Sequence, residues 1–196
     1  MSTEILDMRT RDKARVPPDQ AVTKGWPILH AGLIPRFDPA KWRFKLFGLV
    51  EREVTLNWTE FDALPKTTIL SDIHCVTGWS KLDNEWWGVP IQAVLELARP
   101  KAEATHVMVH AHGGYTTNLP LAELDQTDVL LAQRHNGEPL TPEHGYPLRL
   151  VVPKLYFWKS AKWVSGLEFM TQDQPGFWEV RGYHMHGDPW RSERYW

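Results

Sequence analysis

The chain has 196 residues, 42% of them hydrophobic, and a formal net charge of −2 at pH 7. This length predicts one domain with a real core, and the near-neutral charge argues against a nucleic-acid partner. The 15 Pro residues disfavour a helical bundle. The 11 Trp residues indicate either large buried rings or a wall around a flat ligand.

Residues 1–25 are polar and charged, and they predict an N-terminal arm that precedes a domain at residues 26–196. The arm lacks the apolar run of a secretory signal, and Arg9-Thr10-Arg11 is not a twin-arginine motif. No window approaches the length of a transmembrane helix. We therefore expect a cytoplasmic monomer that has no membrane partner.

The first half of the domain predicts strands and short helices. Residues 41–50 alternate between apolar and polar side chains, which indicates a strand, and residues 54–56 are its plausible partner. Asn57 followed by Glu60 is a capping-box pattern at the start of a short helix. A second helix is predicted from Pro90 through Ala98.

The second half predicts further short strands separated by turn signals, of which Asn136-Gly137 is the strongest. The tail from Gln174 onward is aromatic and polar without periodicity. Short strands with few helices indicate an α+β fold that is mainly β. The predicted strands are residues 106–110, 115–119, 128–132, 148–152 and 162–170.

Cys75 is the only cysteine, so an intrachain disulfide is excluded. Three roles remain open from the residues alone. Cys75 could be a small buried hydrophobic residue, which is the usual state of a free cysteine, or a nucleophile, or a thiolate ligand to a metal held by a cofactor. Asp72, His74 and Thr77 place polar groups where a core strand would be apolar, and Gly78 permits a tight turn, which favours a special site.

A basic segment lies downstream of Cys75. Arg149 interrupts an apolar strand, where it is costly unless it meets an anion. Lys159 and Lys162 flank the small residues Ser160 and Ala161, which let backbone N–H groups approach an oxyanion. The segment indicates a phosphate site, and the alternative is a solvated basic loop with Arg149 paired to a carboxylate.

Three motifs in this order resemble the molybdopterin-binding domain of the sulfite oxidase family. The resemblance runs from about Trp26 to the C-terminus. It is closest to small single-domain bacterial members, which are similar to the catalytic subunit of the protein-methionine-sulfoxide reductase. The motifs are His74-Cys75-Val76-Thr77-Gly78-Trp79-Ser80 with Trp87-Gly88-Val89-Pro90, then Gly145-Tyr146-Pro147-Leu148-Arg149, then Lys159-Ser160-Ala161-Lys162-Trp163.

The resemblance implies a molybdenum-molybdopterin cofactor without an attached nucleotide. Cys75 falls on the family's molybdenum-ligating cysteine, which makes it the implied catalytic residue and metal ligand. Arg149 falls on the arginine that holds the pterin phosphate, and Ser160, Ala161 and Lys162 fall on its anion loop. Lys159 is expected to neutralise the phosphate together with Arg149 and Lys162.

The resemblance also implies cofactor contacts for several further residues. For His30, His112 and His144 the alternative is a hydrogen-bonded surface histidine. His30 replaces an asparagine of the family, and His144 lies beside the expected pterin. Ala111 and His112 fall where the family contacts the pterin by backbone and a small polar side chain. His74, the first residue of the cysteine motif, is also assigned to the cofactor contacts.

Two departures from the family bear on the substrate. Sulfite oxidases have an arginine shortly after the cysteine, where this chain has Trp79-Ser80, and their metal-approaching tyrosine falls near Pro175. Arg36, Arg181 or Arg191 could replace the missing charge. We therefore expect oxygen-atom transfer on an S- or N-oxide rather than on sulfite.

The predicted function is that of a molybdenum-pterin oxidoreductase acting on a small molecule with an electron-transfer partner. The alternatives are a true sulfite oxidase, a non-catalytic carrier of the cofactor, and a structural protein without a cofactor. The aromatic tail could wrap the core or line the substrate entrance, and wrapping is the favoured role.

Overall fold

The structure is a computed structural model that describes residues 14–29 and 31–196. In these residues the helices are α1 Trp58–Asp62, α2 Ile91–Ala98 and α3 Leu121–Leu124, with 3-10 turns at His112–Gly114, Pro142–His144 and Glu179–Arg181. The strands are β1 Ala21–Val22, β2 Arg43–Gly48, β3 Val54–Asn57, β4 Thr67–Cys75, β5 Trp79–Pro90, β6 His106–Ala111, β7 Thr116–Pro120, β8 Leu130–His135, β9 Glu138–Pro139, β10 Arg149–Val151 and β11 Val164–Met170.

One sheet has the strand order β3-β2-β11-β6-β7, and only the β2–β11 pair is parallel. The predicted alternation in β2 is confirmed, because Phe44 and Leu46 are fully buried while Arg43 and Lys45 face solvent. The predicted β6–β7 hairpin is also confirmed. Buried apolar residues of this sheet, of α2 and of β8 and β10 form the main core.

The other sheet is centred on β5, which pairs with β1, β4 and β8, while β10 pairs with β8. The antiparallel β4–β5 hairpin ends at the turn between Cys75 and Trp79. Sequence reasoning missed β4 and most of β5, because polar residues interrupt the alternation that marks a strand. A register shift between Ser71 and Ile73 accommodates Asp72, whose carboxylate pairs with Arg15.

The predicted helices have the expected signals. Asn57 caps α1, with the reciprocal bonds to Glu60 of a capping box, at 3.0 Å and 2.8 Å. α2 begins after Pro90 and buries Ile91 and Val94. With both sheets and these short helices in place, the α+β, mainly β prediction is confirmed. No helix of the described residues has the length and apolarity to cross a membrane.

Both ends of the described chain lie against the β4–β5 hairpin. β1 pairs in parallel with the start of β5, with Ala21 opposite Trp79. The C-terminal tail crosses the same region, where Tyr195 is a bridge partner of Tyr183. The boundary of the arm at residue 25 stays a prediction.

Candidate active site

A cavity of about 330 Å³ lies where the turn after β4, the strand β10 and the loop before β11 meet. The lining is dominated by aromatic rings, with one thiol and two cationic side chains among the described residues. The lining residues are Trp26, Pro27, Leu29, Ala31, Cys75, Val76, Thr77, Trp79, Tyr115, His144, Arg149, Phe157, Trp158, Ser160, Ala161, Lys162, Trp163, Trp178 and Tyr183.

Cys75 ends β4 and is 8% exposed. Its Sγ lies 3.1 Å from Thr77 Oγ1, within the turn that Gly78 closes with a φ of +94°. Burial raises the pKa of the Cys75 thiol, against the opposing effects of its hydrogen bonds from Thr77 and the charge of Arg194. The thiol is held in place at the cavity wall.

His74 lies on the other face of β4, because adjacent residues of a strand point to opposite sides. Its Nδ1 is 2.8 Å from Ser80 Oγ, and its ring packs edge-on against Trp190. This placement argues against a Cys75–His74 nucleophilic pair. His74 is not among the residues that line the cavity.

Arg149 is 1% exposed in an otherwise apolar strand, and among the described residues it has no carboxylate partner. Nη1 donates to His144 O at 2.8 Å and Nη2 to Ser160 O at 3.0 Å, while Nε finds no partner in the described part of the chain. The guanidinium faces the Phe157 ring at 4.2 Å and the Trp26 ring at 5.1 Å. Burial lowers the pKa of Arg149 to about 9.

Lys162 is the antiparallel bridge partner of Arg149. Its Nζ donates to Leu29 O and Glu143 O, each at 2.7 Å. Burial and then the charge of Arg149 lower the pKa of Lys162 to about 7. Gly145, with a φ of +114°, permits this crowding, because a Cβ there would lie 3.0 Å from Arg149 Cβ and 3.2 Å from Lys162 Cβ.

The structure brings six of the predicted site residues to this one cavity: Cys75, His144, Arg149, Ser160, Ala161 and Lys162. His144 stacks on Trp26 with ring centroids 3.8 Å apart, and burial lowers its pKa. Ser160 accepts from Val152 N at 2.9 Å, which holds the loop against β10. The alternative of a solvated basic loop is inconsistent with this burial.

Other predicted site residues lie elsewhere. Lys159 is fully buried and does not line the cavity, because its Nζ forms an ion pair with Glu179 at 2.7 Å. Ala111 is also outside the lining, and His112 borders a separate cavity of about 150 Å³. His30 lies outside the described residues.

The sequence left two roles open for the tail, wrapping the core or lining the substrate entrance, and favoured wrapping; it did not identify which rings would reach the cavity. Trp178 and Tyr183 line the cavity, with ring centroids 4.9 Å apart, and both pack against the cluster that contains Cys75. The tail therefore contributes to the lining of the cavity as well as packing against the core. Its aromatic composition was the available signal, but without periodicity the sequence could not place these rings.

None of the arginines considered as replacements for the missing cation lines the main cavity. Arg36 borders the smaller one. Arg181 donates to Phe177 O at 2.6 Å, and Arg191 lies 3.3 Å from Glu193. Among the described residues, the only cations of the main cavity are Arg149 and Lys162.

These donors fit a cofactor that carries both a phosphate and a soft metal. The unpaired Arg149 Nε and the neighbouring Lys162 provide hydrogen-bond donors and charge for a phosphate. Cys75 provides a thiolate, which suits a soft metal. Among the described residues, His, Cys, Asp and Glu form no cluster of three or more that could hold a metal ion.

Comparisons with known proteins agree with this chemistry. The family model described as the oxidoreductase molybdopterin binding domain matches residues 30–178. Uncharacterized oxidoreductase YuiH of Bacillus subtilis is 52% identical over 182 residues, covering 92% of each chain. The putative protein-methionine-sulfoxide reductase subunit YedZ1 of Azospira oryzae is 28% identical over 89% of this chain and 67% of its own length.

A solved structure shares the fold. The sulfane dehydrogenase SoxCD from Paracoccus pantotrophus superposes with a TM-score of 0.66 at 24% identity, over 76% of this chain and 42% of that chain. The chain thus spans less than half of that larger protein. On the family match and the relatives together, the chain belongs to the molybdopterin-binding oxidoreductases of the sulfite oxidase family, whose cofactor is molybdenum-molybdopterin.

Proposed function

We propose that Cys75 is the protein ligand of the molybdenum, and that the enzyme transfers an oxygen atom from a neutral S- or N-oxide. The observation that carries this proposal is the grouping of a buried thiol, a buried arginine without a carboxylate partner among the described residues, and an aromatic wall around one cavity. Each of these features has a separate role in binding the cofactor or the substrate.

Cys75 is suited to ligation by its position. It lies at the cavity wall at the end of β4, and its turn is closed by Gly78 N donating to Cys75 O at 3.0 Å. A metal cation beside the thiol would favour its thiolate form and overcome the burial that raises its pKa.

Arg149 and Lys162 hold the phosphate of the cofactor. Each has an anchored stem and donates to backbone carbonyl oxygens, which fixes its direction. His144 and Trp26 stack beside them and present a flat wall for the pterin. The bound molybdenum supplies a two-electron redox centre that can accept an oxygen atom.

The aromatic rings near Cys75 favour a neutral substrate. Trp79, Trp158, Trp178 and Tyr183 pack around the cluster that contains the thiol, and they provide apolar surface rather than fixed cations. A sulfite dianion needs cations to offset its desolvation. An oxide with an apolar substituent instead gains from burial against these rings.

Reduction of an oxide consumes two electrons and two protons and releases water. In this proposal the electrons come from a separate electron-transfer partner. One relative is named as a putative subunit of a protein-methionine-sulfoxide reductase, which supports an S-oxide as the oxidised substrate here.

The test is steady-state kinetics on enzyme produced in a host that makes the cofactor. Reduction of dimethyl sulfoxide, methyl phenyl sulfoxide and trimethylamine N-oxide is followed with reduced viologen as the electron donor. Sulfite oxidation is followed with ferricyanide as the acceptor. We expect kcat/KM for the best oxide to exceed that for sulfite by at least about tenfold.

Two results would overturn this assignment. A kcat/KM for sulfite of roughly 10⁴ M⁻¹s⁻¹ or above without oxide reduction would show a sulfite oxidase. Loss of the cofactor on simple dialysis, with no turnover in either direction, would show a carrier.

A further inference from the structure

Two segments that are remote in sequence and lie outside the β4–β5 hairpin form hydrogen bonds with the turn that carries Cys75. One is the end of the N-terminal arm around Gln20, and the other is the C-terminal tail at Arg194. Both segments donate hydrogen bonds to carbonyl oxygens of residues 75–78. Neither Gln20 nor Arg194 lines the cavity itself.

The arm contributes one side-chain bond and one backbone bond to the turn. Gln20 Nε2 donates to Cys75 O at 3.0 Å, and Ala21 N donates to Gly78 O at 2.9 Å. Ser80 Oγ donates to Gln20 Oε1 at 3.3 Å, which fixes the direction of the amide. The carbonyl of the proposed metal ligand is therefore held by the arm.

The tail contributes a charged donor. Arg194 Nη1 donates to Val76 O at 3.0 Å, and Nη2 donates to Asp19 O at 3.2 Å. One guanidinium therefore joins the turn, the arm and the tail.

Both segments are anchored by contacts away from the turn. Arg15 pairs with Asp72 at 2.5 Å and with Asp83 at 2.7 Å, which ties the arm to the β4–β5 hairpin. In the tail, Glu193 accepts from Asp188 N at 3.0 Å and lies 2.8 Å from His186 Nδ1. The donors thus reach the turn from anchored backbone.

We propose that Gln20 and Arg194 are positioning residues for Cys75, and that they form a clamp that sets where its sulfur meets the metal. This inference rests on the proposed ligation by Cys75. Hydrogen bonds from two directions restrict the carbonyls of Cys75 and Val76, and therefore restrict the backbone that carries Sγ.

The first measurement uses hydrogen exchange at the Gly78 amide, which donates to Cys75 O within the turn. It compares the wild type with Arg194→Met, Arg194→Lys and Gln20→Leu in cofactor-free protein. Loss of a charged hydrogen bond should speed exchange about tenfold to hundredfold in Arg194→Met. Arg194→Lys should restore most of the protection, because it keeps a charged donor. Arg52→Met, at an exposed residue between β2 and β3 and away from the Cys75 turn, is the control.

The second measurement uses the same variants loaded with cofactor. We expect Arg194→Met to shift the reduction potential of the molybdenum and its sulfur-to-metal absorption, with partial rescue by Arg194→Lys. A merely structural role would change the melting temperature without changing the absorption. Unchanged Gly78 exchange in Arg194→Met, or faster exchange with an unchanged absorption and potential, would overturn the clamp.

Cys75→Ser separates failure of the clamp from failure of the proposed function. If the absorption changes in Cys75→Ser but not in Arg194→Met or Gln20→Leu, the clamp is rejected and the ligand assignment stands. An unchanged absorption in Cys75→Ser rejects the ligand assignment, and the inference about Gln20 and Arg194 fails with it.

Discussion

Arg149 and Lys162 are antiparallel bridge partners, so two cations lie side by side at one end of the cavity. The pKa values of both are lowered, chiefly by burial, and the charge of Arg149 lowers that of Lys162 further. Such an arrangement is unfavourable until an anion joins it. We propose that the phosphate of the cofactor supplies that anion.

We therefore expect Arg149→Met to lose the cofactor. Removing one partner of a desolvated charge pair costs about 2–5 kcal/mol of binding. Molybdenum per protein, measured by mass spectrometry after extensive dialysis, should fall to a small fraction of the wild-type value. Arg134→Met is the control, because Arg134 is exposed and rests on Trp87 instead of on the cavity.

The same substitution should not weaken the cofactor-free fold. Replacement of this buried charge by an apolar side chain of similar length removes its desolvation cost, which offsets the loss of its hydrogen bonds to His144 O and Ser160 O. We expect the melting temperature of cofactor-free Arg149→Met to equal or exceed that of the wild type. Full molybdenum content combined with a lowered melting temperature would instead give Arg149 a purely structural role.

Cofactor retention should decrease as pH rises above about 7. Without the phosphate, the pKa of Lys162 is about 7, and with the phosphate bound the ammonium keeps its proton at higher pH. Release above pH 7 therefore frees a proton, so affinity falls by up to about tenfold per pH unit. The second ionisation of the phosphate, near pH 6, is then complete and adds no opposing dependence.

The measurement is the fraction of molybdenum retained at dialysis equilibrium from pH 6 to 9.5 in wild type and in Lys162→Arg. An arginine keeps its charge through this range, so the variant should show a much flatter dependence. Equal slopes for the two proteins would show that another group controls release.

The buried pair Lys159–Glu179 should support the fold rather than the cofactor. Lys159→Met leaves Glu179, which is 2% exposed, without its counter-charge, at a cost of about 3–5 kcal/mol. For a chain of this size that corresponds to a fall in melting temperature of about 6–20 °C, measured by calorimetry. Glu51→Gln, which breaks an exposed pair with Arg99, is the control and should cost less than about 1 kcal/mol.

A different result for Lys159→Met would restore the role that the sequence predicted for it. If cofactor-free Lys159→Met kept the wild-type melting temperature while the loaded form lost molybdenum, Lys159 would be a phosphate ligand.

Trp178 should contribute to the affinity for apolar substrates. Its ring lines the cavity beside Tyr183, and an aromatic contact with the substrate contributes about 0.5–1.5 kcal/mol beyond buried area. We expect Trp178→Leu to raise KM for methyl phenyl sulfoxide several-fold more than KM for dimethyl sulfoxide, with kcat little changed. Equal changes in KM for both substrates would show that Trp178 does not contact the phenyl group of the substrate.

Much of the fold could be predicted because its signals are local. The alternation in β2, the capping box at Asn57 and the β6–β7 hairpin each depend on neighbouring residues. The β4–β5 hairpin could not be predicted in the same way. Its polar residues are satisfied by distant partners, such as Arg15 for Asp72, and such pairing is not visible in a local pattern.

The candidate site shows the same division. Cys75, Arg149 and Lys162 stand out by residue type, and the fold brings them to one cavity. Glu179, the buried partner of Lys159, and Tyr183 both belong to the tail. Their positions depend on how the tail packs against the Cys75 turn, which is more than a hundred residues away in the sequence. The tail has no periodic pattern, so its contacts required the structure.

Molybdenum K-edge X-ray absorption of loaded wild type, Cys75→Ser and Cys75→Ala tests the ligand assignment directly. Serine is close to cysteine in volume but is a poor ligand for a soft metal, while alanine removes the donor. We predict one fewer sulfur atom in the first coordination shell of both variants, with the cofactor-free fold preserved. An unchanged number of sulfur ligands in Cys75→Ala would contradict the assignment of Cys75 as a molybdenum ligand.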